Sequence, residues 1–193
     1  MASRLNRYLL YQQLGVRNAN ETPTECFVCQ CHGDLHSRNI LVSTVSPPTP
    51  IIIDWSDYEA SHWAVDYARL LVDLLLSAYD AGPVSYEWSH IARWRELARG
   101  VVAGNVLPDD GHDSNRLVRT AVNWMITNIG AACPAVESVQ DLNARRWEWQ
   151  LALAVEFMRG GYSLGLTTPK RVFALLASAD TITAAEQSLP NRP

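Results

Sequence analysis

Between His32 and Asp54 the chain carries a set of side chains whose types and order suit phosphoryl transfer. His32-Gly-Asp34-Leu-His-Ser-Arg38-Asn39 is followed by Ile40-Leu-Val, a proline-rich turn, Ile51-Ile-Ile and then Asp54-Trp55. A carboxylate at Asp34 can accept or orient the proton of an attacking hydroxyl, while Asn39 and Asp54 offer the hard oxygen atoms that magnesium prefers. Arg38 has the planar fork that suits phosphoryl oxygens, with a solvated loop arginine as its plainer reading. His32 is expected to brace the loop through hydrogen bonds. Asp57 and Glu59, close behind Asp54, either widen a metal site, attract a cationic substrate or simply face water. A metal-hydrolase reading of His32, Asp34 and His36 explains less, because it leaves Asn39 and Asp54 without roles.

Such residues need elements to hold them. Glu25 to Gln30, Ile40 to Val42 and Ile51 to Ile53 read as short strands, and Pro47-Pro-Thr-Pro50 turns the last two into a hairpin that brings 32–39 toward 54–59. Leu5, Leu9, Leu10 and Leu14 predict a short helix that stops at Gly15. From Ala64 onward the pattern turns helical. Trp63, Tyr67, Leu70, Leu71, Leu74 and Leu75 form an apolar stripe, and further helices are predicted over Tyr86 to Arg99, Ser114 to Ile129, Val139 to Met158 and Lys170 to Ala179. Trp88, Trp94, Trp124, Trp147 and Trp149 are expected to pack the core of this body. The division is therefore a lead-in helix and loop over 1–24, catalytic and metal loops over 25–60 and a helical body over 61–187, within one domain spanning 1–193.

Cys31-His-Gly-Asp-Leu-His-Ser-Arg-Asn-Ile-Leu-Val42, Ile53-Asp-Trp55 and His62-Trp-Ala-Val-Asp-Tyr-Ala-Arg-Leu70 resemble the aminoglycoside phosphotransferase and choline kinase group of the protein-kinase-like superfamily. The resemblance implies an α+β, mostly α fold: a kinase-like C-terminal lobe with a small catalytic-loop β-hairpin followed by a helical body. It implies that Asp34 is the catalytic-loop aspartate, that Asn39 and Asp54 hold Mg2+, and that Asp66, in Asp66-Tyr-Ala68, supports the loop. ATP or GTP would then be the donor, and a small-molecule hydroxyl, aminoglycoside-like or choline-like, the acceptor. The acids Asp109, Asp110, Asp113, Glu137, Asp141, Glu148 and Glu156 either line a pocket for an amine-bearing acceptor or face solvent.

In that family an N-terminal lobe holds much of the nucleotide, with a lysine on its phosphates. Here Lys170 is the one lysine against 15 arginines, and 31 residues precede His32, so the nucleotide lobe is expected to be absent from this chain. An N-lobe, a protein partner or a second copy would then cover the site. The loop variant with His36 and Arg38, and the stretch Asp66 to Asp73, also resemble phosphotransferase-like domains of bacterial multi-domain signalling or conflict proteins, called ternary complex associated domains. A non-catalytic binding module is therefore the rival function.

Composition bounds these readings. With 48% hydrophobic residues and 193 positions the chain can bury one core, and its formal charge of -4 disfavours nucleic acid and anionic lipid as partners. The absence of a spanning apolar run or signal sequence predicts no membrane segment and a cytoplasmic location. Cys26, Cys29, Cys31 and Cys133 lack a second pair with zinc spacing and read as free thiols, with Cys29 and Cys31 on one strand face and Cys26 on the other.

Overall fold

The computed structural model describes residues 28–79, 87–108, 116–129, 143 and 145–189. The helix expected from Leu5 to Leu14, the acids of 109–113, Glu137, Asp141, Cys26 and Cys133 lie outside the described residues.

Two small antiparallel sheets carry the motif. β2 (Ile40–Val42) and β3 (Pro50–Ile52) form the hairpin, with Ile40 opposite Ile52, Leu41 opposite Ile51 and Val42 opposite Pro50. Branched side chains favour the extended backbone, and Pro50 occupies the first position of its strand, where a missing N–H is tolerated. β1 (Val28–Cys31) pairs elsewhere, with β4 (Glu59–His62), so that Val28 faces His62 and Cys31 faces Glu59. No strand was expected at 59–62, since Glu59-Ala-Ser-His62 carries no branched or aromatic apolar residue. Its partner comes from the other side of the loop 32–39, which local pattern does not report. The two pairings hold 32–39 between β1 and β2 and 53–58 between β3 and β4, bringing the two loops together. Cys29 and Cys31 share a face, with sulfurs 3.5 Å apart. Both are free thiols, and burial pushes that of Cys31 far up, which keeps it protonated.

Among the described residues five helices follow: α1 (Val65–Ala78), α2 (Trp88–Val102), α3 (Arg116–Thr127), α4 (Arg146–Tyr162) and α5 (Thr168–Ser188). α1 buries Ala68, Leu71, Val72, Leu75 and Leu76 against α3 and α4; of the expected stripe Leu71 and Leu75 lie on this face, while Tyr67, Leu70 and Leu74 are only partly buried at its side. α5 runs along α4 and against α2. One cluster of buried side chains spans all five helices. At its centre Tyr79, which ends α1, stacks on Phe173 of α5 at 5.2 Å with the rings 5° from parallel, and Phe157 of α4 meets Phe173 edge-on at 6.0 Å.

α4 and α5 depart from expectation in an informative way. Gly160-Gly161 reads as a helix stop, yet α4 continues through both. A Cβ at Gly161 would lie 2.5 Å from Leu175 Cγ, and one at Gly160 would lie 2.8 Å from Leu76 Cδ1. The glycines serve close helix packing rather than termination. α5 is also longer than predicted at both ends, with Pro169 buried in its first turn. Of the five tryptophans assigned to the core, Trp94 and Trp149 are buried and Trp147 is half-buried, but Trp88 and Trp124 are exposed. Trp88 stands at the first residue of α2, beyond the end of the buried stripe Ile91, Trp94, Ala98 and Val101. Trp124 falls between Val122 and Met125, off the face that α3 buries. Among the described residues no helix is long and apolar enough to cross a membrane.

Candidate active site

The loop 32–39 is gripped from one side of α1. Asp66, in the first turn of the helix, accepts the backbone N–H groups of His32 at 2.6 Å and Gly33 at 2.9 Å. Asp73, two turns further on, accepts the N–H of Ser37 at 2.8 Å. Residues seven apart return to one helix face, so the two carboxylates hold both ends of the loop. Gly33 has φ +86°, and a Cβ there would sit 2.3 Å from the carbonyl oxygen of Asp57, so both conformation and space demand glycine.

His32 connects this loop to the one bearing Asp54. Its Nε2 lies 2.8 Å from the carbonyl oxygen of Ile53, which only accepts, so Nε2 donates. In the neutral ring Nδ1 is then an acceptor, and the N–H of Asp34 points to it at 3.4 Å. Trp55 packs against the same ring with centroids 4.8 Å apart. Asn39 is buried, and its Nδ2 donates to the Asp34 carbonyl at 3.1 Å, which leaves Oδ1 as its acceptor for a cation. The N–H of Ile53 donates to the Asn39 carbonyl at 3.0 Å, tying the two candidate ligand-bearing segments together. Asp54 is exposed and left-handed, with φ 63° and ψ 62°, a conformation that costs about 1–2 kcal/mol outside glycine but is eased for aspartate. Its Oδ1 accepts from Ser56 Oγ at 3.1 Å.

Asp34 lies in a charge cluster that sequence reading missed. Arg69 of α1 donates through Nη2 to Asp34 Oδ1 at 2.8 Å and through Nη1 to Glu156 Oε2 at 2.9 Å. Arg159 of α4 lies 3.4 Å from the same Oδ1, and His36 Nε2 lies 3.6 Å from Oδ2. Arg38, the arginine singled out from sequence, is exposed at the 3-10 turn 37–39. Arg69 stands inside the motif word that ends at Leu70, but nothing local says where it points. Arg159 belongs to a helix 125 residues from Asp34.

Two of the acids considered for an amine pocket prove to be buried struts. Glu156 pairs with Arg69, while Glu148 accepts from His62 Nε2 at 3.0 Å, Trp63 Nε1 at 2.8 Å and Arg145 Nη1 at 2.7 Å. Burial alone would raise the Glu148 carboxyl, but the hydrogen bonds from His62 and Trp63 and the charges of His62 and Arg145 outweigh it and hold it below its ordinary value. Among the described residues no three His, Cys, Asp or Glu side chains converge on a common ion position.

A loop aspartate braced from a following helix, an asparagine tied to it and an aspartate after the second hairpin strand are carried on a mostly helical α+β body. Residues 17–98 match the model of the phosphotransferase enzyme family. The match takes in both loops, both sheets, α1 and α2 as far as Ala98, and leaves α3, α4 and α5 outside it. No curated protein and no solved structure matches the chain.

Proposed function

We propose that this protein transfers the terminal phosphoryl group of ATP or GTP to a hydroxyl of a small molecule. The observation that carries the reading is the coupling of Asn39 to Asp34: one amide spends its donor on the carbonyl of the candidate base and keeps its oxygen for a cation, while its own carbonyl holds the strand leading to Asp54. Asp34 receives or orients the acceptor proton. Asp66, Asp73 and His32 keep the loop rigid, so little reorganisation is needed when the reactants meet.

Asn39 Oδ1 and the exposed Asp54 carboxylate fit a magnesium ion, which takes one or two protein oxygens and completes its shell with water and phosphate. The ion would supply charge neutralisation at the phosphates. The single lysine, Lys170, lies in the first turn of α5, so contacts to the nucleotide phosphates are assigned to arginines or to a covering N-lobe or partner protein. Support for a cover comes from the hairpin, where Leu41, Val42, Ile51 and Ile52 are all exposed.

The test is nucleotide-dependent phosphoryl transfer by the whole protein against a panel of alcohols, for wild type, Asp34→Ala and Asp54→Ala, with circular dichroism to show that each variant folds. Loss of turnover in both folded variants is the expected result, and near-normal turnover in either one overturns the assignment. The rival reading, a binding module without catalysis, draws on the pairing of Asp34 Oδ1 with Arg69. Calorimetric titration with ATP separates the two. Magnesium-dependent binding that Asp54→Ala abolishes supports transfer, while a cooperatively folded protein that binds no nucleotide, alone or with a covering lobe or partner protein supplied, supports the module.

A further inference from the structure

The two guanidiniums at Asp34 are held very differently. Arg69 is committed, since each terminal nitrogen has its own carboxylate at 2.8 and 2.9 Å and the side chain is four-fifths buried. Arg159 is loose: it lies 3.4 Å from Asp34 and 3.8 Å from Glu156, and 43% of its side chain is exposed. Both carboxylates already have Arg69 as the nearer partner. Arg159 can therefore turn away from them without leaving either acid unpaired, which removes the usual penalty for breaking such a contact.

A hydroxyl in reach of Asp34 comes within a few ångströms of this guanidinium. A substrate with an ammonium group beside that hydroxyl would find Asp34 and Glu156 already paired with guanidiniums, whereas one with an anionic group would find in Arg159 a half-exposed fork whose carboxylate contacts are long. We infer that the acceptor is an anionic alcohol, a hydroxyl compound carrying a carboxylate or a phosphate, and that Arg159 selects it by pairing with the anionic group. Calling the bound alcohol an acceptor rests on the proposed phosphoryl transfer; the binding itself does not. This chemistry departs from the aminoglycoside-like or choline-like acceptor that the motif suggests, and its source lies in α4, outside the matched segment 17–98.

The test is calorimetric titration of the full chain, without nucleotide or magnesium and at low salt, with glycerate, glycerol phosphate and choline as probes. Wild type is expected to bind one of the two anions saturably and choline not at all; which anion binds tells carboxylate from phosphate. Arg159→Gln should weaken that binding about tenfold and Arg159→Lys should restore part of it, the size expected for a charge-assisted contact at a half-exposed site. Tighter binding of choline, no saturation by either anion up to about 10 mM, or an affinity in Arg159→Gln within about twofold of wild type each overturns the inference. A chain that binds an anionic alcohol yet transfers nothing keeps this site and defeats the proposed function. Transfer to choline does the reverse.

Discussion

Asp66 and Asp73 stand two turns apart on α1 and hold opposite ends of the loop that presents Asp34, the first through the N–H groups of His32 and Gly33 and the second through that of Ser37. Arg69, between them in the helix, takes the Asp34 side chain itself. A single helix face thus sets both the backbone and the carboxylate of the candidate base.

Removing either grip should loosen the loop in proportion to the hydrogen bonds lost. Asp66→Ala, which frees two N–H groups, is expected to cost about 2–3 kcal/mol, and Asp73→Ala, which frees one, about 1–2 kcal/mol. Thermal denaturation gives the totals, and amide exchange at His32, Gly33 and Ser37 gives the location. Unchanged exchange at those three amides would contradict the arrangement.

Gly33→Ala combines a left-handed backbone with a Cβ only 2.3 Å from the Asp57 carbonyl oxygen. The conformational and steric penalties together should reach about 3 kcal/mol. Chemical denaturation measures this; a loss below about 1 kcal/mol would mean that the loop rearranges freely.

Glu148 makes stability depend on pH. Its folded carboxyl lies below the ordinary 4.5, so its contribution is present above that value and is lost as the pH falls through the lower folded value. Glu148→Gln should cost about 2 kcal/mol near neutrality, because Arg145 loses a buried charge partner and His62 and Trp63 lose a charged acceptor. The gap between wild type and variant should narrow as denaturation is repeated below pH 4.5, where wild type too becomes neutral at this position. A gap that stayed constant down to about pH 3 would remove Glu148 from the linkage.

Gly161→Ala places a methyl 2.5 Å from Leu175 Cγ and Cδ2, where α4 and α5 pack closely. The overlap outweighs the modest helix preference for alanine, and the net loss should be about 1–2 kcal/mol. Because Leu175 is 40% exposed, trimming it is cheap, and Leu175→Ala should recover part of the stability in the double variant. Additive losses in that double variant would place the strain elsewhere.

Sequence alone determined the motif from His32 to Asp54, the β2–β3 hairpin and the helical character of α1, because each depends on residue order and on a repeat that the backbone itself imposes, while the exact face that α1 buries was set by its neighbours. A branched triplet, a proline turn and a second triplet set Asn39 across from Ile53, the residue before Asp54. The tertiary structure alone decided that β1 pairs with β4, that Glu148 and Glu156 are buried, and that Gly160-Gly161 lie inside a helix. It also brought Arg69 and Arg159 to one oxygen of Asp34 from positions 35 and 125 residues away. Such contacts follow from how α1 and α4 cross the loop, and a crossing is set by the packing of whole helix faces, which no local spacing encodes.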